Sequence, residues 1–359
     1  MAKDNLSAVL YGIEDLRLEQ RSIPTPKNDE VLIKVEVVGI CGSDVHYYRY
    51  GKLRYKEVKK PMLMGHEASG QVVEVGKNVT HLKIGDRVAI EPGIACGSCN
   101  FCKQGKYNLC LTMQFCATPP VDGNLTRYYC HSARFCHKLP DNLSFEDGAL
   151  LEPLAVGVHG CRRGKVTVGS VVLIMGAGPI GLVTLLSAKS FGASKVIILD
   201  LVDNRLQVAK QLGADYVLTI EKHMSEDDIV RKIQKILGES PTISFDCSGS
   251  EICVRIVLKV TKRGGTAVLI GMGKLEQTVP LSTALFQEID VIGGYRYCND
   301  YPTAIEFLKT GRINVQPLIT HKFKIEDTLQ AYETAISGKD NPIKILIYPN
   351  KDRYPAIFS

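Results

Sequence analysis

The sequence predicts an α/β fold in which a doubly wound domain with a parallel sheet is inserted into a mainly-β domain built from both ends of the chain. Three observations lead there. Short strand-like segments between turns occupy residues 31–139, buried apolar runs alternate with helical stretches from roughly 155 to 295, and an apolar strand returns at Ile343 to Tyr348. A length of 359 residues allows about two domains, each with its own core.

In the first part, strands are expected at Val31 to Val38, Ser69 to Val75 before Gly76, and Arg87 to Ile90 before Pro92-Gly93. An irregular, cysteine-rich lobe follows from Cys96 to Cys116, then strands near Arg127 to Cys130 and Arg134 to Leu139. The pattern changes near residue 165. Ser170 to Met175 is continuously apolar, as in a strand buried on both faces of a parallel sheet, and a glycine turn and a helix to Phe191 come next. Alternation continues through a strand at Val196 to Leu199, a helix from Asp203 to Leu212 and a strand at Tyr216 to Thr219. Ser225 with Asp228 caps a helix to Leu237, closed by Gly238. Ile243 to Cys247, Thr266 to Ile270 and Val291 to Ile292 supply further strands. The tail holds helices near Tyr301 to Thr310 and Ile325 to Ile336 before the last strand.

Composition excludes several classes. The 44 basic and 38 acidic residues leave a net charge of +6, scattered along the chain rather than gathered into a stripe, so nucleic acid is not an expected partner. No run approaches the ~18 apolar residues that span a bilayer, and the first residues do not resemble a secretory signal. A cytoplasmic protein without a membrane partner is expected. There the 12 cysteines, five of them between Cys96 and Cys116, are better suited to metal than to disulfides.

Gly176-Ala-Gly178-Pro-Ile180-Gly181 is Gly-x-Gly-x-x-Gly between a predicted strand and a predicted helix. The pattern alone is weak, but the context is the one dinucleotide binding needs: a tight turn, close backbone approach to the pyrophosphate, and a helix amino terminus facing the phosphates. Asp200 ends the next strand, 19 residues after Gly181, where a carboxylate accepts from ribose hydroxyls and repels a 2′-phosphate. NAD is therefore expected, with Arg205 as the feature that would favour NADP.

Cys96-x2-Cys99-x2-Cys102-x7-Cys110 supplies four thiols on a segment with little regular pattern. Four thiolates close a tetrahedral shell, so a structural zinc is expected, the alternative being free thiols or transient disulfides. A second donor set is dispersed: Cys41, His66 with Glu67, and Glu152. A lone Cys or His is more often a packed core residue than a ligand. Together they offer a thiolate, an imidazole and carboxylates, which suit a catalytic zinc with one open position.

With these motifs in order, the chain resembles the zinc-containing medium-chain alcohol dehydrogenase family, and within it the sorbitol (polyol) branch. The resemblance rests on Gly39-Ile-Cys41-Gly-Ser43-Asp-Val-His46, Gly65-His66-Glu67-x-x-Gly70, the cysteine quartet, Leu151-Glu152-Pro153-Leu154, the glycine motif and Tyr295-Arg296-Tyr297. It implies a GroES-like catalytic domain of residues 1–155 and 296–359 and a Rossmann NAD-binding domain of residues 156–295. It further implies two zinc ions, the catalytic one held by Cys41, His66, Glu67 and Glu152 and the structural one by Cys96, Cys99, Cys102 and Cys110. Whether Glu67 or Glu152 ligates directly or through water stays open. Ser43 and His46 resemble the family's proton relay, and Tyr47, Glu152, Arg296 and Tyr297 its substrate contacts. Gly176, Gly178, Ile180, Gly181, Asp200, Arg205, Ile270, Met272, Tyr295 and Arg296 resemble its cofactor wall. The implied reaction is reversible oxidation of a polyol such as sorbitol or xylitol to the ketose, by a homotetramer. The alternative is a related zinc dehydrogenase for an amino alcohol or a simple alcohol. Many animal members of the polyol branch lack the full quartet, which this chain retains.

Overall fold

The computed structural model describes residues 4–350. Strands β1 (Leu6–Gly12) and β2 (Asp15–Gln20) form an antiparallel hairpin ahead of β3 (Glu30–Gly39), the long strand at the middle of the first sheet. Helix α1 (Gly42–Tyr50), β4 (Met62–Leu63) and β5 (Glu67–Val75) follow, then β6 (Arg87–Ile90), β7 (Tyr128–Ser132), β8 (Cys136–Lys138) and α2 (Phe145–Arg163). The expected strand over Arg134 to Leu139 is shorter. Its first part is a 3-10 turn, Ala133–Phe135, that swings the chain so that Cys136 to Lys138 pair with β6.

The second part alternates as predicted. In chain order it holds β9 (Val171–Met175), α3 (Pro179–Ser190), β10 (Lys195–Asp200), α4 (Asp203–Gln211), β11 (Tyr216–Thr219) and α5 (Glu226–Leu237). It continues with β12 (Ile243–Asp246), α6 (Glu251–Val260), β13 (Thr266–Leu269), α7 (Leu281–Gln287), β14 (Asp290–Gly293) and α8 (Tyr301–Lys309). All six strands are parallel in the order β11-β10-β9-β12-β13-β14, the doubly wound arrangement whose strand order reverses between β9 and β12. Every residue of β9 is buried, which explains its uninterrupted apolar sequence. Ser225 caps α5 through Asp228 as the sequence indicates, and Gly238 ends it at φ +75°.

The tail supplies β15 (Ile319–Lys324), α9 (Thr328–Ser337) and β16 (Lys344–Tyr348). A 3-10 turn, Ile325–Asp327, takes the first residues of the expected final helix. Strand β16 returns to the first sheet, where Leu346 and Ile347 lie opposite Gly39 and Val38, so the sheet runs β8-β6-β5-β3-β16-β15 with β7 also on β3. Alternate residues Val31, Ile33 and Val35 share a core with Ile345, Ile347 and Tyr332 from the tail.

Packing divides the described residues into one unit of 4–152 with 319–350, and another of Pro153–Leu318. The sequence places the return at residue 296 instead. Residues 296–318 belong with the nucleotide-type unit because Phe307 of α8 meets Phe191 edge-on at 5.5 Å and Asp300 bonds to His159.

Candidate active site and metal centres

In the first unit the register of β3 against β5 sets Gly39 opposite Glu67. Cys41 lies just beyond the end of β3 and caps α1, and His66 just precedes β5, so residues far apart in sequence converge at one end of the sheet. One donor atom each from Cys41, His66 and Glu67 lies within 4.8 Å of the others. Gly39 has no side chain for a physical reason: a Cβ there would sit 2.1 Å from Glu67 Oε2.

Asp44 fixes two of these residues at once. Its Oδ2 accepts from the Cys41 backbone N–H at 3.0 Å, and its Oδ1 faces His66 Nδ1 at 3.3 Å. Burial disfavours charge on His66, but the Asp44 carboxylate and the Cys41 thiolate outweigh it and hold its pKa well above the ordinary value. The carboxylate orienting Nδ1 leaves the other ring nitrogen for a metal, the usual outer-shell arrangement.

Lys344, unremarked in the sequence, completes the cluster. Its Nζ donates to Glu67 Oε1 at 2.8 Å, Oε2 at 2.7 Å and the Ile40 carbonyl at 3.1 Å, and the residue is only 2% exposed. Burial pulls against its charge, yet Glu67 prevails and raises its pKa. The available signal was one lysine inside an apolar terminal strand. A thiol, an imidazole and a carboxylate converging, with a fourth position left over, fit a zinc ion of the catalytic kind. Glu152 is buried near the middle of α2 and is not one of the clustered donors among the described residues.

Ser43 and His46 lie on α1. Ser43 is half-buried, whereas His46 is exposed and bonds through Nδ1 to the Lys52 carbonyl at 2.8 Å. Tyr47, on the same helix, is buried.

Cys96, Cys99, Cys102 and Cys110 also gather, with one sulfur from each within 4.8 Å of the rest. Cys102 Sγ lies 3.9 Å from Cys96 Sγ and 3.5 Å from Cys99 Sγ. Sulfurs at the corners of a zinc tetrahedron are about 3.8 Å apart, given Zn–S bonds of about 2.3 Å, so this quartet fits the ion. No disulfide forms among the described residues. The lobe is tied to the sheet by Glu91, which accepts from Tyr107 Oη at 2.6 Å and pairs with His137 Nε2 at 2.7 Å.

In the second unit the glycine motif joins β9 to α3. Gly176 has φ +98°, and a Cβ on Gly181 would lie 1.8 Å from the Gly176 carbonyl oxygen, so helix and turn pack only without one. Gly178 caps α3, Pro179 opens it, and Ile180 follows in its first turn. Asp200 ends β10 and accepts from the Ala177 N–H at 2.6 Å and the Val202 N–H at 2.9 Å, fixing the turn beside it. Arg205 lies in the first turn of α4. Ile270 and Met272 follow β13, Ile270 half-buried and Met272 exposed. Tyr295, Arg296 and Tyr297 occupy the segment between β14 and α8. The Arg296 guanidinium lies over the Tyr295 ring at 5.0 Å, and Tyr297 is buried.

A thiol-imidazole-carboxylate cluster on one unit and a glycine turn at the head of a doubly wound sheet on the other define a zinc-binding, dinucleotide-dependent dehydrogenase. Residues 27–141 match the alcohol dehydrogenase GroES-like domain, and residues 179–310 match the zinc-binding dehydrogenase domain. The chain belongs to the zinc-containing medium-chain alcohol dehydrogenase family, in its sorbitol dehydrogenase branch. It is 51% identical to sorbitol dehydrogenase of Bos taurus, over 97% of each chain. It is 53% identical to that of Homo sapiens, over 93% of this chain and 94% of the other. Among solved structures, an Escherichia coli oxidoreductase of unknown specificity superposes with a TM-score of 0.91 at 38% identity, covering 96% of this chain and 99% of the other. No helix among the described residues is long and apolar enough to cross a membrane.

Proposed function

We propose that this protein oxidises a polyol such as sorbitol or xylitol to the ketose with NAD, reversibly. The observation that carries this reading is the Cys41, His66 and Glu67 cluster, in a chain about half identical to sorbitol dehydrogenases. When bound, zinc supplies Lewis acidity that favours loss of the alcohol proton, and NAD supplies the hydride acceptor.

The chain's own residues do the rest. Cys41, His66 and Glu67 hold the catalytic zinc, and Lys344 fixes both Glu67 oxygens in place. Glu152 accepts a hydrogen bond from a substrate hydroxyl or from water beside the ion. Tyr47, Arg296 and Tyr297 offer polar groups to the remaining hydroxyls, a set suited to a polyhydric chain. Ser43 and His46 carry the released proton outward. The Lys52 carbonyl accepts from His46 Nδ1–H, which leaves Nε2 of an exposed imidazole to take that proton. Gly176, Gly178, Ile180 and Gly181 cradle the pyrophosphate, while Ile270, Met272, Tyr295 and Arg296 flank the cofactor. Each Asp200 oxygen keeps a lone pair for the ribose diol, which favours NAD, although Arg205 lies five residues on. Cys96, Cys99, Cys102 and Cys110 hold a second, structural zinc.

Steady-state kinetics on polyols, amino alcohols and simple alcohols, with NAD and NADP, tests the reading. A preference for threonine or a simple alcohol, or for NADP, overturns it.

We also infer a homotetramer in the cytoplasm, where reducing conditions keep the thiol lobe fit for metal. Strand β14 ends its sheet, and Leu281, Leu285 and Phe286 of neighbouring α7 are 62%, 72% and 80% exposed, a face that wants a partner. Phe286→Asp is expected to shift the oligomer to smaller species in size-exclusion chromatography.

A further inference from the structure

The segment between β14 and α8 carries Arg296 and Tyr297 and is held in an unusual shape. Arg296 and Asn299 both adopt left-handed backbone, at φ +53° and +58°, without being glycine. Such residues persist only where their surroundings fix them. Here the fixing groups come from α2, all within the same packed unit.

Asp300 is fully buried at 0% exposure. Its Oδ2 accepts from His159 Nδ1–H at 2.9 Å and from the Cys298 backbone N–H at 3.0 Å, and its Oδ1 accepts from the Arg162 guanidinium at 2.5 Å. Arg162 also donates to the Asn299 carbonyl at 3.2 Å and to Thr303 Oγ1 at 2.5 Å. Arg163 donates to the Gly293 carbonyl at 3.2 Å, so helix α2 grips the segment at both ends. Tyr297 is backed by the Tyr301 ring at 5.5 Å.

His159, Cys298 and Asp300 also bring donor atoms within 4.8 Å of one another, as a metal site would. A cation there would have to displace the guanidinium already on Oδ1 and the imidazole already on Oδ2. The charge is balanced without a metal, so the trio acts on the backbone.

We propose that Asp300, clamped by His159 and Arg162, is a positioning residue that sets the Arg296-Tyr297 segment and thereby the enzyme's affinity for polyhydric substrates. The proposal rests on the reading of Arg296 and Tyr297 as substrate contacts. His159, Arg162 and Asp300 are neither zinc donors nor part of the glycine turn, but the segment they hold also carries Tyr295 and Arg296 of the proposed cofactor wall. Loss of the clamp therefore weakens polyol and NAD binding together and spares the chemical step.

The test compares wild type with Asp300→Asn, Arg162→Met, Arg162→Lys and Arg296→Gln, using sorbitol kinetics and NAD titration on the intact zinc-loaded enzyme. Asp300→Asn and Arg162→Met are expected to raise KM for sorbitol about tenfold and to raise the NAD dissociation constant with it, with kcat within about twofold of wild type. Arg162→Lys is expected to recover part of the loss. Arg162 is 41% exposed on its side chain, so its variants report even where Asp300→Asn does not fold. Should Arg296→Gln raise KM while Arg162→Met leaves it unchanged, the clamp is overturned and the substrate reading survives. Should Arg296→Gln itself leave KM unchanged, the substrate reading falls and the proposal with it. A parallel fall in kcat would mark the cluster as support for the whole unit and overturn its positioning role.

Discussion

Lys344, on the last strand, holds both carboxylate oxygens of Glu67, at 2.8 and 2.7 Å, and neither residue is more than 2% exposed. Removing one partner of such a pair leaves a bare charge in the interior, at a cost of about 3–5 kcal/mol. Lys344→Met, which nearly preserves volume, is therefore expected to destabilise the protein in urea unfolding and to weaken retention of the catalytic zinc. The double variant Lys344→Met with Glu67→Gln removes both charges and should recover part of the stability but not the activity. Equal losses in the single and double variants would show that the pair's charge balance is not what matters.

The cysteine lobe gives a cleaner metal experiment. Cys102 sits 3.9 and 3.5 Å from two of its partners, and replacing a thiolate by a hydroxyl removes a strong zinc donor. Cys102→Ser is expected to lower metal content from two zinc ions per chain to one and to lower the melting temperature. Sorbitol turnover in the protein that stays folded should persist. Two zinc ions per chain in the variant would contradict the structural site.

Much of this architecture is legible in the sequence because burial leaves its mark there. Strand β9 is buried at every position and reads as an unbroken apolar run, and Ser225 with Gly238 brackets α5 as capping chemistry requires. Helix α2 leaves no such mark: Pro153 lies inside it, and it runs through the division between the two units. Helix α1 buries only Asp44 and Tyr47, too little for a periodic signal. The metal donors were recognisable as residue types, but their convergence depends on the β3–β5 register, and Lys344 reaches them only because β16 returns beside β3. Asp300 was equally hidden, since a lone aspartate before a helix reads as a cap.

Glu226 predicts a dependence on pH. It joins α5 to α6 by pairing with Arg255 Nε at 2.6 Å and Lys259 Nζ at 2.8 Å. The hydrogen bond from Arg255, then that from Lys259, holds its carboxyl below the usual value. The folded state thus binds this proton less readily than the unfolded chain. The resulting stability is present above the unfolded pKa of about 4.3 and is lost as pH falls through the lower folded value. Glu226→Gln is expected to lower the urea midpoint at pH 7, and the gap to wild type should close on acidification below pH 4. A gap of constant size would assign the effect to packing instead.

Asp200 braces the glycine turn, and in the proposed reading it also sets cofactor choice. It already accepts the Ala177 and Val202 N–H groups, at 2.6 and 2.9 Å, so its carboxylate cannot swing without releasing the turn. On the proposed reading of Asp200 as the ribose contact, its fixed negative charge opposes a 2′-phosphate, and hydrogen bonds to such a charge contribute about 1.5–3 kcal/mol. Asp200→Asn preserves the shape and an oxygen acceptor while removing the charge. It is expected to cut kcat/KM for NAD by about tenfold or more and to raise that for NADP, with kcat at saturating NAD nearly unchanged. Adding Arg205→Leu should then reverse the gain with NADP, because Arg205 is the nearby cation able to meet the phosphate. If Asp200→Asn lowers both cofactors alike, the carboxylate acts only through the turn it braces, and discrimination against the 2′-phosphate must come from elsewhere.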